Sequence, residues 1–220
     1  MTYFQYKPEY LAELRQNLDE YFNDGELRNL CFDLDVSYDN LPGEEKASKA
    51  RELVDYMKRH GQIPDLVQAA AKQRLHADWR FDQAAAVCYK KKGDAVKFLL
   101  VRTSGNRWLF PKGKLEPGES ALKVAQLAAR DKAGVAGTID PHPLTVFKLP
   151  QRQARSTGQE AVVAAFLLRV KEKIRPDERG RQRKWYTPDE AKEMLSKDRE
   201  PPHDKELTDV IDAACSHLAA

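Results

Sequence analysis

The hydrophobic pattern of the chain changes once, near residue 80, and this change limits what the chain can fold into. Before it, apolar residues such as Leu11, Leu14, Leu18 and Phe22 recur at three- and four-residue intervals. That spacing places them on one face of an α-helix. From Phe81 onward, apolar runs of strand length alternate with turn-forming residues. The sequence therefore predicts an α+β chain, with an all-α bundle first and a mixed α/β part after it.

The helical part is predicted to hold four helices, over residues 8–22, 26–34, 44–60 and 64–71. Asp24 is expected to cap the second helix. The third helix is expected to bury Ala47 with the apolar residues that follow it, and to end at Gly61. Helical content then stops, which predicts a domain over residues 1–74 and a linker over 75–80, where Trp79 packs at the junction.

The second domain is predicted over residues 81–220. Strands are expected at 83–89 and 95–102, joined by a turn at 92–94, and again at 138–149 and 161–170. Helices are expected at 188–195 and 204–219. Together with one central helix near residues 120–133, this order is typical of an α/β/α sandwich.

Charge is distributed unevenly along the chain. Residues 1–76 hold 10 of the 37 basic residues and 14 of the 34 acidic ones, so the first part is net negative and the remainder net positive. A basic second domain suits an anionic ligand, although a solvated basic surface is an equally good interpretation. The three cysteines lie far apart in apolar surroundings and are predicted to be buried thiols.

Apolar runs are too short to cross a bilayer, and charged residues such as Lys7 and Glu13 interrupt the first twenty positions. We therefore expect a cytoplasmic protein with no membrane partner. A basic run over residues 175–184 lacks interleaved aromatic residues, so a solvated loop is favoured there and nucleic acid is not an expected partner.

The stretch FPKGKLEPGESALKVAQLAARDKAGV, residues 110–135, joins a glycine- and lysine-bearing loop to a helix. It resembles the Nudix box, whose pattern is G-x5-E-x7-R-E-U-x-E-E-x-G-U with U an aliphatic residue. Gly113, Glu119, Gly134 and Val135 fall in register with that pattern. The resemblance implies an α/β/α sandwich and hydrolysis of nucleoside diphosphates linked to another moiety, with Mg2+ or Mn2+ as cofactor.

The catalytic part of the box departs from the family pattern. Where the family has R-E-U-x-E-E, this chain has Leu127-Ala128-Ala129-Arg130-Asp131-Lys132. Magnesium needs oxygen ligands, which alanine and lysine do not supply. If the chain is active, Glu119 and Asp131 are the catalytic candidates, and Glu116, Glu119 and Asp131 the metal candidates. A site that combines Glu119 and Asp131 with Glu160 is the alternative.

Loss of metal ligands does not remove phosphate binding. The candidate residues share a positive charge or a free main chain in a loop: Arg102, Arg107, Lys112, Gly113, Lys114 and Lys132. Lys148, Arg152 and Arg155 lie in a segment that borders the substrate cleft in this fold. Trp108 is a candidate to stack on a base, with a plain core position as the alternative.

The helical part carries a resemblance of its own. The segments ELRNLCFDL, YDNLPG and KARELV lie within residues 8–72. This part of the chain resembles the bacterial effector-associated domains, which are small adaptors similar to the death fold. This resemblance implies pairing with another protein that carries a matching domain, often in stress or conflict systems. A helical appendage that only covers the neighbouring domain is the alternative.

Three functions follow from these observations. The first is a signalling or defence adaptor whose degenerate Nudix-like domain binds a nucleotide diphosphate-type ligand, such as ADP-ribose, a dinucleotide or a polyphosphate. The second is a weakly or conditionally active Mg-dependent pyrophosphohydrolase. The third is a scaffold that binds only proteins.

Overall fold

The computed structural model describes residues 8–74, 79, 81–93, 95–116, 119–150, 160–174 and 182–219. The described residues divide into two compact units, a helical one that extends to Trp79 and an α/β one that begins at Phe81, and Glu160 alone among the later described residues is grouped with the helical unit. The predicted linker residues 75–78 and 80, the candidates Arg152 and Arg155, and most of the basic run fall outside the described residues. No helix in these ranges is long and apolar enough to cross a membrane.

The helical unit contains the four predicted helices. They are α1 (Pro8–Tyr21), α2 (Asp24–Asp33), α3 (Lys46–Arg59) and α4 (Ile63–Gln73), with a 3-10 turn, η1 (Tyr38–Asn40), between α2 and α3. Their apolar faces form one core, whose fully buried side chains include Leu18, Phe22, Leu27, Leu30, Leu53, Met57 and Leu66. The first part of the chain is therefore an all-α bundle, as its periodicity predicts.

Two local expectations in this unit are wrong. Asn23, not Asp24, caps α2: its side chain accepts from the Glu26 N–H, and the Glu26 carboxylate accepts from the Asn23 N–H, both at 2.9 Å. Asp24 is used elsewhere, because its carboxylate accepts from the Tyr38 hydroxyl. Ala47 is exposed, since it lies at the edge of the buried face in the first turn of α3.

Trp79 belongs to the helical unit. Its indole packs against the rings of Tyr21 and Phe22, with centroids 6.3 and 6.4 Å away. The indole N–H donates to the Arg74 carbonyl at 2.8 Å, and the Arg74 guanidinium pairs with Glu26 at 2.5 Å. Only 3% of Trp79 is exposed, so this residue completes the helical core.

The α/β unit is built on an eight-stranded sheet. The strands are β1 (Gln83–Lys92), β2 (Ala95–Arg102), β3 (Trp108–Leu109), β4 (Lys112–Lys114), β5 (Val135–Ile139), β6 (Thr145–Pro150), β7 (Glu160–Lys173) and β8 (Arg183–Tyr186). The main order is β3-β2-β1-β7-β5, with β4 paired to β1, β6 to β7 and β8 to β2. β1 and β7 run parallel at the centre, while the strands that pair with β1 and β2 elsewhere are antiparallel.

Helices cover both faces of this sheet. On one face α5 (Ala121–Ala133) packs through Val124, Ala125 and Ala129 against alternate residues of β1, β2 and β7. On the other face α6 (Pro188–Ser196) and α7 (His203–Ala219) pack against the remaining set of alternate residues. Because successive strand residues point to opposite faces, the two sets form separate cores. The predicted α/β/α sandwich is confirmed.

Three strand predictions differ from the structure. The stretch 138–149 is two strands, because Pro141 and Pro143 lack the N–H groups that a continuous ladder needs. Lys112–Lys114 was predicted as a loop but forms β4, which pairs with β1 in antiparallel orientation. Arg183–Tyr186 is β8, although its basic residues favoured a solvated loop in the sequence.

Candidate functional site

The glycine of the loop allows β4 and α5 to come close together. Gly113 stands opposite Ala84 of β1, and a Cβ at this position would lie 2.7 Å from the Cγ1 of Val124 in α5. Only a residue without a side chain leaves that contact undisturbed. The register of Gly113 in the sequence pattern therefore corresponds to a packing requirement between β4 and the helix.

The end of α5 is fixed from several directions. Gly134 adopts a left-handed conformation with φ of 58°, and its N–H donates to the Arg130 carbonyl at 3.0 Å. The Ile174 N–H donates to the Gly134 carbonyl at 2.9 Å, and the Arg183 guanidinium donates to the Ala133 carbonyl. These hydrogen bonds fix the end of α5 relative to the strands that follow it.

Glu116 and Glu119 close the turn that leads into α5. The Glu116 N–H donates to the Glu119 carboxylate, and the Glu119 N–H donates to the Glu116 carbonyl, both at 3.0 Å. The Glu116 carboxylate lies 3.5 Å from the Lys114 ammonium in an exposed ion pair. Both acidic residues therefore stabilise the loop itself, and the Glu119 carboxylate accepts from the loop's own main chain.

The three helical positions that carry carboxylates in the family pattern have different surroundings here. Ala128 is only 4% exposed and offers no ligand atom. Asp131 accepts from the Nε of Arg130 at 2.8 Å, on the side of the helix that faces solvent. Lys132 donates from its Nζ to the Lys112 carbonyl at 2.7 Å. A lysine ammonium consequently links α5 to β4 at a position where the pattern has a glutamate.

This arrangement does not fit a divalent metal. Among the described ranges, no group of three His, Cys, Asp or Glu side chains is placed to hold a metal ion. The candidates Glu116, Glu119 and Asp131 are not gathered into such a group, and neither is Glu160, which begins β7. A fixed ammonium also repels a divalent cation, so the residues do not favour Mg2+ or Mn2+.

The predicted phosphate-binding residues fall into two groups. Lys112, Gly113, Lys114 and Lys132 lie together where β4 meets α5, and the Lys112 ammonium donates to the Gln83 side-chain carbonyl on β1. Gln83 was missed in the sequence because it begins an apolar strand and carries no charge. In this first group, hydrogen bonds to β1 and β4 hold the lysine side chains Lys112 and Lys132.

The second group surrounds Trp108 on β3. Arg102 donates from Nη1 to Gln182 at 2.8 Å and lies over the Trp108 ring, 6.0 Å from its centroid. Arg107 donates to the Asp198 carbonyl at 3.4 Å. Trp108 is partly buried and meets the Tyr186 ring edge-on at 5.5 Å, so its position is largely one of packing. Arg199, which no sequence pattern marked, donates to the Trp108 carbonyl at 2.7 Å.

Comparison with known families gives two matches. The family described as NUDIX domain matches residues 79–210, and the family described as effector-associated domain 7 matches residues 14–74. The chain belongs to the NUDIX family. Its helical unit is an effector-associated domain placed before the NUDIX domain. Both resemblances found in the sequence are thereby confirmed.

Curated relatives share the NUDIX part. Nudix hydrolase 12, mitochondrial, from Arabidopsis thaliana is 33% identical over 105 residues, which cover 44% of this chain and 51% of that protein. Nudix hydrolase 13, mitochondrial, from the same plant is 32% identical over 108 residues, covering 44% of this chain and 52% of the relative. The chain thus spans about half the length of the curated relatives it matches.

Solved structures with a similar fold include a binary complex of the C. elegans Ap4A hydrolase, with a TM-score of 0.47 and 18% identity over 64% of this chain and 98% of that one. The NUDIX domain of Shewanella oneidensis NrtR, solved with ADP ribose, has a TM-score of 0.46 and 19% identity over 64% of this chain and 90% of that one.

Proposed function

We propose that this protein is a signalling or defence adaptor in which a degenerate NUDIX domain binds a nucleotide diphosphate-type ligand and the effector-associated domain recruits a protein partner. The observation that carries the proposal is the Lys132 ammonium, which donates to the Lys112 carbonyl where the family pattern has a metal-binding glutamate. The frame of the site is kept while the metal ligands are replaced.

Charge explains why binding is favoured over hydrolysis. Hydrolysis of a diphosphate needs a divalent metal to neutralise phosphate oxygens and to activate water. At the β4–α5 junction this chain offers an ammonium, an alanine and one short carboxylate, that of Asp131. The ammonium neutralises phosphate charge directly but holds no water in a reactive position. A phosphorylated ligand can therefore be held there without a metal.

The cations that support a phosphate ligand lie on both sides of the β3–β4 connection. They are Lys112, Lys114 and Lys132 at β4 and α5, with Arg102 at the end of β2 and Arg107 directly before β3. Gly113 brings the main chain of the loop close to the helix, without a side chain between them. Lysine and arginine donors with main-chain amides are the groups that proteins use for di- and polyphosphates. ADP-ribose, a dinucleotide or a polyphosphate is the ligand class we propose.

A weakly or conditionally active hydrolase is the second candidate, and one observation favours it. Asp131 keeps a carboxylate on α5 that is 30% exposed, next to Arg130. A metal held by Asp131 and the exposed Glu119 would have few protein ligands, so we expect any turnover to be slow.

The test of the NUDIX domain starts with catalysis and continues with binding. The protein is incubated with Mg2+ or Mn2+ and ADP-ribose, dinucleotides and nucleotide polyphosphates, and product release is followed. We expect no turnover above background. Turnover that disappears in Glu119→Gln or Asp131→Asn would reject the binding-only function in favour of the hydrolase.

Binding is then measured by calorimetry with the same compounds in the presence of EDTA. We expect at least one nucleotide to bind, and Lys112→Gln and Lys114→Gln to weaken it several-fold through loss of charge-assisted bonds. Lys123→Gln, an equal charge change on α5 outside the proposed site, is the matched control. Absence of binding to every compound would favour the protein-binding scaffold.

For the effector-associated domain, an exposed aromatic residue supports a protein partner. Phe32 on α2 is 84% exposed, and no other large hydrophobic side chain in the described ranges is exposed. Arg28, one turn earlier on α2, pairs with Asp39 at 2.8 Å, so charges flank the aromatic ring. An aromatic residue within a charged rim is typical of protein interfaces.

The partner is tested with purified proteins that carry a matching effector-associated domain. We expect one of them to co-elute with the full chain in size-exclusion chromatography, and Phe32→Ser to abolish the complex. Ala47→Ser, at another exposed helix position, is the control. If no such protein binds the full chain, the helical domain is an appendage and not an adaptor.

A further inference from the structure

Three arginine side chains converge on one tryptophan in the NUDIX domain. We call Arg102, Arg107, Trp108 and Arg199 the arginine–tryptophan cluster. Arg199 follows α6 and reaches back to β3, where its Nη2 donates to the Trp108 carbonyl at 2.7 Å and its Nη1 donates to the Leu195 carbonyl. These two bonds fix the guanidinium group beside the strand.

Arg107 contributes a second positive charge next to Arg199. Burial of the Arg199 guanidinium, with the nearby charge of Arg107 as the second cause, lowers the pKa of Arg199 to about 10. Asp198 is the acidic neighbour that acts in the opposite direction, and its main-chain carbonyl accepts from Arg107 at 3.4 Å. Two like charges therefore lie close together, one of them partly removed from water.

Asp198 is the acidic group near Arg199, and its printed contact with the cluster runs through its main-chain carbonyl. Arg102 donates to the Gln182 side-chain carbonyl and the Asn106 main chain, while Arg107 and Arg199 donate to main-chain carbonyls. None of the three guanidinium groups forms an ion pair with a carboxylate of a described residue. Neutral acceptors satisfy single N–H groups, but they leave the repulsion between the charges in place.

We propose that Arg107, held by the Asp198 carbonyl, and Arg199, held by the Trp108 carbonyl, form an anion site that takes a phosphate group of the ligand. Arginine suits this role because its planar guanidinium binds phosphate oxygens in pairs. The bonds of Arg107 to described residues use one of its three nitrogens, so the others remain for a ligand. The proposal rests on the proposed function, since both assign a phosphorylated ligand to the NUDIX domain.

The position of the cluster in the chain limits the shape of the ligand. Arg107 precedes Lys112 by five residues, so their Cα atoms are at most about 18 Å apart. A phosphate group at the arginine–tryptophan cluster and another at the lysines of β4 would belong to one extended ligand. Because about 18 Å is an upper limit, one ligand with several phosphate groups can reach both places.

The experiment uses the full chain and titrates inorganic pyrophosphate and tripolyphosphate in EDTA by calorimetry. We expect both to bind, tripolyphosphate more tightly, and Arg107→Gln to weaken each at least tenfold. Arg199→Gln should do the same. Arg169→Gln removes an exposed arginine from β7 and should change affinity less than twofold. Wild-type affinity in Arg107→Gln, or no binding to the wild type, overturns the proposal.

Arg199 also holds two main-chain carbonyls, so circular dichroism must show that its variant is folded. If Arg199→Gln does not fold, Arg107→Gln decides alone. Nucleotide binding that survives unchanged in Arg107→Gln rejects the cluster but leaves the proposed function intact. Pyrophosphate binding that depends on Arg107, with no nucleotide bound, rejects the function and keeps the site.

Discussion

Two lysines, one in each unit, perform the same bonding task in different surroundings. Lys49 of the effector-associated domain is 8% exposed and donates to the Tyr38 carbonyl at 3.1 Å and the Leu41 carbonyl at 2.6 Å. Lys132 of the NUDIX domain is partly exposed and donates to the Lys112 carbonyl. Lys49 is enclosed and holds η1 against α3. Lys132 holds β4 against α5 at a position that in the family pattern belongs to a metal site.

The comparison distinguishes a lysine that only stabilises the fold from a lysine that stands at a former metal-binding position. An enclosed ammonium must be fully bonded, because burial of a charged donor without acceptors is costly. A partly exposed ammonium is not under that constraint, since water can complete its bonds. In the proposed function, the partly exposed Lys132 contacts a ligand as well as the Lys112 carbonyl, whereas the enclosed Lys49 serves only the fold.

Lys49→Met should produce the largest loss of stability. Methionine fills a similar volume but donates nothing, which leaves the buried carbonyls of Tyr38 and Leu41 without this donor. The Leu41 carbonyl loses its donor, while the Tyr38 carbonyl keeps the Leu41 N–H. We expect the free energy of unfolding of the helical unit to fall by about 3 kcal/mol, the upper end of what one unsatisfied buried group costs. Hydrogen exchange of helical amides, followed by mass spectrometry, measures this unit separately. Lys58→Met on the exposed side of α3 should leave exchange unchanged. If Lys58→Met and Lys49→Met change exchange equally, the enclosed position of Lys49 has no special role in stability.

Ala128→Glu combined with Lys132→Glu should convert the second lysine position into a metal site. The double variant places carboxylates beside Asp131, so without metal it should be less stable than the wild type. With Mn2+ at a hundred times its dissociation constant, binding should raise stability by about 2.7 kcal/mol. Thermal melts with and without Mn2+ check this, and the wild type should show no response. If Mn2+ does not change the melting temperature of the double variant, Ala128 and Lys132 do not stand at the metal-binding positions of the family pattern.

Lys132→Met alone should have a smaller effect. The bond to the Lys112 carbonyl is partly exposed, and water can take over the role of the lost donor. We expect a loss of about 1 kcal/mol in the free energy of unfolding, measured as hydrogen exchange of α5 and β4 amides. Lys123→Met on the same helix is the control. A loss as large as that of Lys49→Met would show that Lys132 is a structural residue like Lys49.

The fold was accessible from the sequence because periodicity and turn residues agree with each other. Strand β2 was predicted at 95–102 and is found there, since an apolar run lies between a glycine turn and a polar turn. β4 and β8 were missed because their residues carry charges and depend on neighbouring strands for pairing. Tertiary contacts decided these strands, and local propensity did not.

The candidate site was accessible only in part. Gly113 and Gly134 were found because their positions require glycine, through a close contact in one case and a positive φ in the other. Arg199 and Gln83 were not found, because neither the spacing nor the composition around them distinguishes them from solvated residues. The bond from Lys132 to a main-chain carbonyl leaves no trace in the sequence at all.

A pH effect provides the finest test of the enclosed lysine's surroundings. Burial, followed by the hydrogen bond to Asp24, raises the pKa of Tyr38 to about 12. In the unfolded chain the hydroxyl loses its proton near pH 10, so the folded unit binds more protons between about pH 10 and 12. Stability contributed by this group is complete below pH 10 and is lost as the pH rises through that window. We expect Tyr38→Phe to flatten the loss, measured by circular dichroism of the helices from pH 9 to 11.5, with Tyr56→Phe as control. If the pH profile of Tyr38→Phe equals that of the wild type, the Tyr38–Asp24 contact does not cause the alkaline loss of stability of the effector-associated domain. Other titrating groups would then cause it.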